Sequence, residues 1–120
     1  YKIGTTRNAA GHQYLLSRGF LENHNVFLEN SNAKSVEILF REFVDLESSV
    51  ELNFRYETNR LGLSNNEVVP ALVLFENQGY IAFSPDTPDT TVKKVNSALR
   101  EVKSAGIIDA VIDKYVKLYQ

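Results

Sequence analysis

The chain has 120 residues, of which 43% are hydrophobic, and its formal net charge is −2 at pH 7. This composition is typical of one globular domain, and the charge gives no electrostatic reason to expect nucleic acid or an anionic membrane surface as a partner. Cysteine is absent, which excludes disulfides, thiolate nucleophiles and cysteine-based zinc sites.

The sequence also lacks a targeting segment, a membrane-spanning run and methionine. No basic-then-apolar signal segment opens the sequence, and no apolar run approaches the roughly 20 residues that span a bilayer. The chain also contains no methionine. We therefore expect it to be a processed or excised part of a longer translation product.

The chain alternates between short apolar runs, which favour strands, and stretches with apolar residues at helical spacing. The predicted strands lie at residues 2–5, 25–28, 44–47, 68–75 and 80–84. The predicted helices lie at residues 13–19, 33–42, 88–105 and 107–119. Asn30 or Ser31 is placed to cap the second of these helices. The residues predicted to form its inner side are Val36, Leu39, Phe40 and Phe43.

Residues 80–106 carry strong start and stop signals. A proline ends the preceding strand, because proline cannot donate to a ladder. Thr87 can cap the next helix, Pro88 suits its first position, and Asp89 meets the positive end of the helix dipole. Gly106 is placed to stop that helix, and the last helix follows directly.

Strands that alternate with helices predict an α/β fold of three layers, with a mainly parallel sheet and helices on both faces. In open sheets of this kind, ligands bind beyond the C-terminal ends of the strands. Two loops of this sequence fall at that edge, at residues 6–11 and 45–51.

The first loop carries the candidate ligand-binding residues Thr6, Arg7, Asn8, Ala9 and Ala10. Free backbone N–H groups at the start of the following helix favour an anion such as a carboxylate, and the Arg7 guanidinium could add a charge-assisted contact. The alternative is a plain strand-to-helix turn in which Arg7 is solvated.

The second loop carries the candidate ligand-binding residues Ser48, Ser49 and Glu51. The two hydroxyls could hydrogen-bond a ligand, or they could cap the following helix. From its position alone, the Glu51 carboxylate is a surface acid that the helix dipole favours at this position.

Catalytic and metal-binding patterns find no support in the sequence. No P-loop, nucleophile elbow or glycine-rich dinucleotide motif is present, so we expect neither enzymatic activity nor a cofactor. A metal site built from His12, His24 and Glu22 is conceivable, but their spacing fits no ligand motif. We interpret both histidines as surface residues.

The C-terminal part carries a more specific pattern. Residues 83–116 read FSPDTPDTTVKKVNSALREVKSAGIIDAVIDKYV, which resembles the C-terminal end of bacterial periplasmic solute-binding proteins of the polar-amino-acid type. The matching positions are Thr87-Pro88-Asp89, Val95-Asn96, Ala98-Leu99, Gly106 and Ile112-Asp113-Lys114-Tyr115. Arg41 and Phe43-Val44-Asp45 resemble a second segment of the same family.

This resemblance implies a fold and an organisation. The chain would be one type II lobe of the periplasmic-binding-protein fold, covering residues 1–120. Residues 86–120 would form a helical tail that packs on a second lobe, which the chain does not contain. The resemblance also implies a helix at residues 50–60, with residues 61–63 as its exit. We adopt that helix, although the alternating apolar residues there favour a strand.

The resemblance implies a function as well. A small polar solute, such as an amino acid, would be captured by hinge closure in the periplasm and passed to the membrane subunits of an ABC transporter. In the family, hydroxyl residues of the first loop help hold the carboxylate of the ligand. The corresponding residues here are Asn8-Ala9-Ala10, which lack hydroxyls and leave backbone donors. Many members also place an acid against the ammonium group of the ligand, at a position near Val50 where Glu51 could substitute.

Two other functions are alternatives for this sequence, and a homodimer is the expected assembly. The same fold serves as the extracellular sensory input domain of signalling receptors, and a membrane span downstream of Gln120 would identify such a receptor. A small hydrolase or transferase would require that substituting His12 or His24 abolish turnover. We also expect a homodimer through the C-terminal helices, because their apolar stripes lack the surface of a second lobe.

Overall fold

A computed structural model describes residues 1–119 of the chain. Residues 1–74 with Tyr119 form one compact unit, and residues 75–118 form a second. The first unit holds β1 (Ile3–Thr6), α1 (Ala10–Ser17), β2 (Val26–Glu29), α2 (Asn32–Phe40), β3 (Leu46–Ser48), α3 (Glu51–Leu61) and a 3₁₀ turn at Asn65–Glu67. The second unit holds α4 (Asp89–Ser104) and α5 (Ile107–Leu118). The predicted α/β class is confirmed.

The three strands of the first unit form one parallel sheet in the order β2-β1-β3. Ile3 of β1 lies opposite Val26 on one side and Leu46 on the other. The first three predicted strands are therefore confirmed, with bounds that differ by one or two residues from the predicted ones.

Helices cover both faces of this sheet. On one face, Ile3 and Val26 form the buried core with Leu15 of α1. On the other face, Gly4 lies against α2, and a Cβ at Gly4 would come within 3.1 Å of the Ile38 side chain. Because successive strand residues point to opposite faces, α1 and α2 lie on opposite sides of the sheet. The predicted three layers are confirmed for this unit.

The three helices of the first unit end in the same way. Gly19, Glu42 and Gly62 follow or close α1, α2 and α3, and each has a left-handed backbone with φ of 86°, 58° and 70°. The N–H of each of these residues donates to the carbonyl three positions before it. The N–H of the following residue donates to the carbonyl five positions before itself. This is the Schellman arrangement. Glycine adopts this left-handed backbone without steric cost, whereas in Glu42 the Cβ is crowded against the backbone.

Predictions for α2 and α3 are partly right. Ser31 caps α2, since its Oγ accepts a hydrogen bond from the Lys34 N–H at 3.3 Å, and Val36 is fully buried as predicted. Phe43 was predicted on the inner side of α2, but it is 53% exposed because the helix ends before it.

Residues 51–61 form the helix α3. The family resemblance therefore indicated the right element there, and the alternation of apolar residues did not.

The strands predicted at residues 68–75 and 80–84 are wrong. Neither segment has regular secondary structure, and most of their side chains are exposed. Within the described residues, no backbone hydrogen bond involves residues 68–74. An apolar run supplies the side chains that suit a strand, but a strand also needs a neighbouring strand for its backbone groups, and the sheet of the described residues contains only β1, β2 and β3.

The second unit contains two helices, α4 and α5, close to the two helices predicted at residues 88–105 and 107–119. α4 begins at Asp89 with Pro88 at the N-cap and no side-chain cap, so the prediction that Thr87 caps this helix is wrong. Gly106, with φ of 68°, follows the end of α4 as predicted. Neither α4 nor α5 contains a buried residue. Among residues 1–119, no helix is long and apolar enough to cross a membrane.

Candidate functional site

The candidate site is the edge of the sheet where the parallel strands end. Thr6, Glu29 and Ser48 are the last residues of the three strands, and α1, α2 and α3 begin just beyond them. Since the strands are parallel, the three loops lie at one edge of the sheet. All eight residues predicted to bind a ligand lie at this edge, from the end of β1 to the start of α1 and from the end of β3 to the start of α3.

The first loop is held by the loop that follows β2. The Thr6 Oγ1 donates to the Asn32 Oδ1 at 2.7 Å, and the Arg7 Nε donates to the Asn30 Oδ1 at 3.4 Å. Arg7 is exposed, and its two terminal nitrogens have no partner within the described residues. Arg7 thus places a tethered guanidinium at this edge, with two nitrogens free to meet an anion.

The start of α1 has a strained approach and no side-chain cap. Asn8 has a left-handed backbone with φ of 61°, a conformation that asparagine tolerates better than most residues. Ala9 is the N-cap, its side chain makes no capping bond, and its N–H donates to the Thr6 carbonyl at 3.1 Å. Ala10 is the first helical residue. Both alanines therefore contribute backbone groups only.

His12 supports this loop from beneath, and its role was missed. It was interpreted as a surface residue, but it is only 3% exposed, because α1 begins three residues earlier than predicted and turns the ring inward. Its Nδ1 accepts the Asn8 N–H at 3.1 Å, and its Nε2 lies 3.1 Å from the Glu22 Oε1. These partners fix the neutral tautomer with its proton on Nε2, which donates to Glu22.

The two predicted loops meet at Gly11 and Ser48. A Cβ added at Gly11 would overlap the Ser48 Oγ, so glycine is what allows the first turn of α1 to approach the end of β3. The Thr5 Oγ1 also donates to the Ser48 carbonyl at 3.4 Å. The structure therefore brings the two loops together at the predicted residue Ser48, through Gly11 and Thr5, which the ligand-binding prediction left out.

The second loop is largely committed to internal contacts. Val50, and not a serine, is the N-cap of α3, with no side-chain capping bond, so the capping alternative for Ser48 and Ser49 is wrong. Both Nε and Nη2 of Arg55 donate to the Glu51 Oε1, at 3.0 and 2.9 Å. Glu51 is therefore paired with a cation of its own helix, as expected for a surface acid, and is poorly suited to hold an ammonium group.

Glu47 is the acid of this region that sequence reasoning missed. It lies on β3 opposite Gly4, where the Ser35 Oγ donates to its Oε1 at 3.1 Å. Burial of the carboxyl group raises the pKa of Glu47 to about 7, and hydrogen bonds from Ser35 and Ser49 oppose that rise. No cation of the described residues lies within ion-pair distance of it. The sequence signal was an acid between apolar and serine residues in a predicted strand.

The arrangement suits binding more than catalysis. It offers a tethered cation in Arg7, backbone donors at the start of α1 and the hydroxyl of Ser48, whereas the Ser49 hydroxyl forms a hydrogen bond with Glu47. Both nitrogens of His12 already have partners, so this histidine is not placed to activate a nucleophile. Within residues 1–119, no three histidine or acidic side chains come together in a way that could hold a metal ion.

A cavity elsewhere in the first unit does not coincide with the candidate site. It measures about 270 Å³ and is lined by Glu37, Phe40, Arg41, Leu61 and Leu63. These residues belong to the second half of α2 and to the end of α3, away from the strand ends. None of the predicted ligand-binding residues lines it.

The chain matches no protein-family model, no curated protein and no solved structure. The resemblance to solute-binding proteins therefore depends on the sequence motifs alone, and it enters the function of this chain only as a proposal.

Proposed function

We propose that the chain is a ligand-binding lobe of a periplasmic solute-binding protein of the type II fold, which captures a small polar solute such as an amino acid. The lobe would act with a second lobe by hinge closure and deliver the solute to the membrane subunits of an ABC transporter. The proposal begins from the resemblance of residues 83–116.

One structural observation supports this proposal most. The loops after β1 and β3 meet at the C-terminal edge of a parallel sheet, through Gly11 and Ser48, and Arg7 presents free guanidinium nitrogens there. In open α/β sheets this edge is where ligands bind. A carboxylate could accept hydrogen bonds from Arg7 and from the backbone N–H groups at the start of α1.

The same geometry limits how tightly a single lobe can bind. In hinge closure, the ligand stabilises the closed state because it contacts both lobes, and this chain supplies the contacts of one. The nearby acid Glu51 is already paired with Arg55. We therefore expect the 120-residue chain to bind an amino acid weakly, with a millimolar dissociation constant.

The test is a titration followed by amide chemical shifts. L-Glutamine, L-glutamate and L-arginine are added to the chain at millimolar concentrations, and the shifts are expected at residues 6–11 and 48–51. Substituting Arg7→Ala should weaken the binding by roughly tenfold, the loss of one hydrogen bond to a charged group.

The matched control is Arg18→Ala. Arg18 is also an exposed arginine, but it follows the end of α1 and lies over the ring of Tyr14, so its loss should leave the titration unchanged. Shifts that cluster away from the two loops, or micromolar affinity measured by calorimetry, would contradict the proposed one-lobe site.

A further inference from the structure

Residues 68–74 form an apolar segment that is exposed at residues 69–73 and half-buried at its two ends. Val69, Leu72 and Val73 are 83%, 78% and 76% exposed, and no backbone hydrogen bond of the described residues involves the segment. In a strand, neighbouring residues point to opposite faces, so Leu72 and Val73 would make both faces apolar. Runs of this kind are typical of strands that are buried on both faces of a sheet.

The sheet of the same unit has an open edge of the matching kind. β3 is an outer strand in the order β2-β1-β3, and its outer side has no ladder partner within the described residues. α2 packs against β3 on one face, and Gly11 of α1 meets Ser48 on the other. A strand added beside β3 would therefore extend a sheet that has helices on both faces.

The lengths of the two partners agree. Pro70 has no N–H to donate, and proline is tolerated in a sheet only at an edge or at the start of a strand. Pairing would therefore begin after it, at residues 71–74. These four residues are long enough to run alongside the three residues of β3, Leu46–Ser48.

We propose that two copies of the chain exchange residues 71–74, so that each segment pairs with the outer edge of β3 in the other copy. Each copy carries one donor segment and one β3 edge, so a reciprocal exchange pairs both and closes as a two-fold symmetric dimer. The added backbone hydrogen bonds provide the pairing, and the apolar side chains on both faces provide the burial. This inference does not depend on the proposed ligand-binding function.

The test compares two substitutions in the same segment. Val73→Lys places a charge inside the exchanged stretch, and Val69→Lys places the same charge on an equally exposed valine before Pro70. Sedimentation velocity over a range of concentrations should show a dimer for the unmodified chain. Val73→Lys should raise the dimer dissociation constant about 100-fold, because one buried valine is lost in each copy, and Val69→Lys should leave it unchanged.

A third variant separates this interface from one formed by the last helix. Ile112→Lys alters the exposed apolar side of α5 and should not affect the dimer. A dimer that Ile112→Lys disrupts and Val73→Lys does not would overturn the proposal in favour of the C-terminal helices. A chain that stays monomeric at the highest concentration, or one that forms open-ended oligomers, would overturn it as well.

Hydrogen exchange supplies an independent measurement. In the dimer, the amides of residues 71–74 and 46–48 should exchange more slowly than in diluted, monomeric chain. Slow exchange of residues 71–74 in a monomer would mean that the segment occupies the β3 edge of its own chain, and fast exchange in a dimer would mean that copies meet elsewhere. Either result refutes the proposed swap of residues 71–74 between two copies. The ligand titration at Arg7 should be the same for Val69→Lys and Val73→Lys, so the two proposals can fail separately.

Discussion

The two units of the chain become ordered for different reasons. In the first unit, the sheet joins residues far apart in sequence: the Lys2 N–H donates to the Asp45 carboxylate at 2.6 Å, and Leu15, Val26 and Val36 are fully buried around the sheet. In the second unit, α4 and α5 follow each other directly and bury no residue. The first unit therefore depends on long-range packing, and the second depends on local helix signals.

The largest expected effect tests this difference in packing. Leu15→Ala should destabilise the first unit by about 2–5 kcal/mol, because it removes a buried side chain and leaves a cavity. Leu99→Ala in α4 changes a leucine that is 38% exposed, and alanine favours a helix, so it should change stability by less than about 0.5 kcal/mol. Urea denaturation followed by circular dichroism measures both. Equal losses would show that the second unit has a core comparable to that of the first.

The next effect is the dependence of the first unit on pH. Burial raises the pKa of Glu47 from 4.5 to about 7, so the folded state binds this proton more tightly than the unfolded state. The stabilisation is fully present below pH 4.5 and is lost as the pH rises through 7. The free energy of unfolding should fall by about 3 kcal/mol at most across this range.

The control for this prediction is Glu47→Gln. Glutamine keeps the shape of the protonated side chain and cannot ionise, so its unfolding free energy should not show this decline between pH 4.5 and 7.5. Urea denaturation at intervals of half a pH unit gives the comparison. The interpretation of Glu47 fails if both chains show the same slope.

The smallest expected effect concerns the ends of the helices. Glu42 adopts the left-handed backbone that Gly62 adopts at the end of α3. Glu42→Gly should therefore stabilise the first unit by roughly 1 kcal/mol, and Gly62→Ala should destabilise it by a similar amount. Thermal denaturation of the two variants gives the sign of each change. Destabilisation by Glu42→Gly would mean that the Glu42 side chain makes a contact that outweighs the backbone strain.

Local sequence signals predicted the elements that local forces determine. Ser31 at the start of α2, and Gly19 and Gly106 at the ends of α1 and α4, were identified from residue type, whereas the end of α3 at residues 61–63 came from the family resemblance. Residues 68–75 could not be judged in this way, because a strand exists only with a neighbour, and the sheet order is a long-range property. At residues 51–61, the alternation of apolar residues favoured a strand and was wrong, whereas the family resemblance indicated the helix that forms.

The candidate site was predicted in position and less well in its chemistry. The rule for parallel sheets placed Thr6, Arg7 and Ser48 at the C-terminal edge of the sheet, which is where they lie. It could not show that Glu51 is paired with Arg55, that Glu47 is buried against Ser35, or that His12 lies beneath the first loop. Each of these depends on which way a side chain points, and a shift of the start of α1 by three residues was enough to reverse the interpretation of His12.

The contrast between the two histidines makes the first loop open to chemical labelling. His24 is exposed, while both nitrogens of the buried His12 are engaged, one of them by the Asn8 backbone. An acylating reagent such as diethyl pyrocarbonate, which attacks an accessible neutral imidazole, would modify His24 first and reach His12 only when residues 6–11 lift away from the ring. The rate of the second acylation would then report how often this loop opens, and His24 would serve as an internal standard in the same chain.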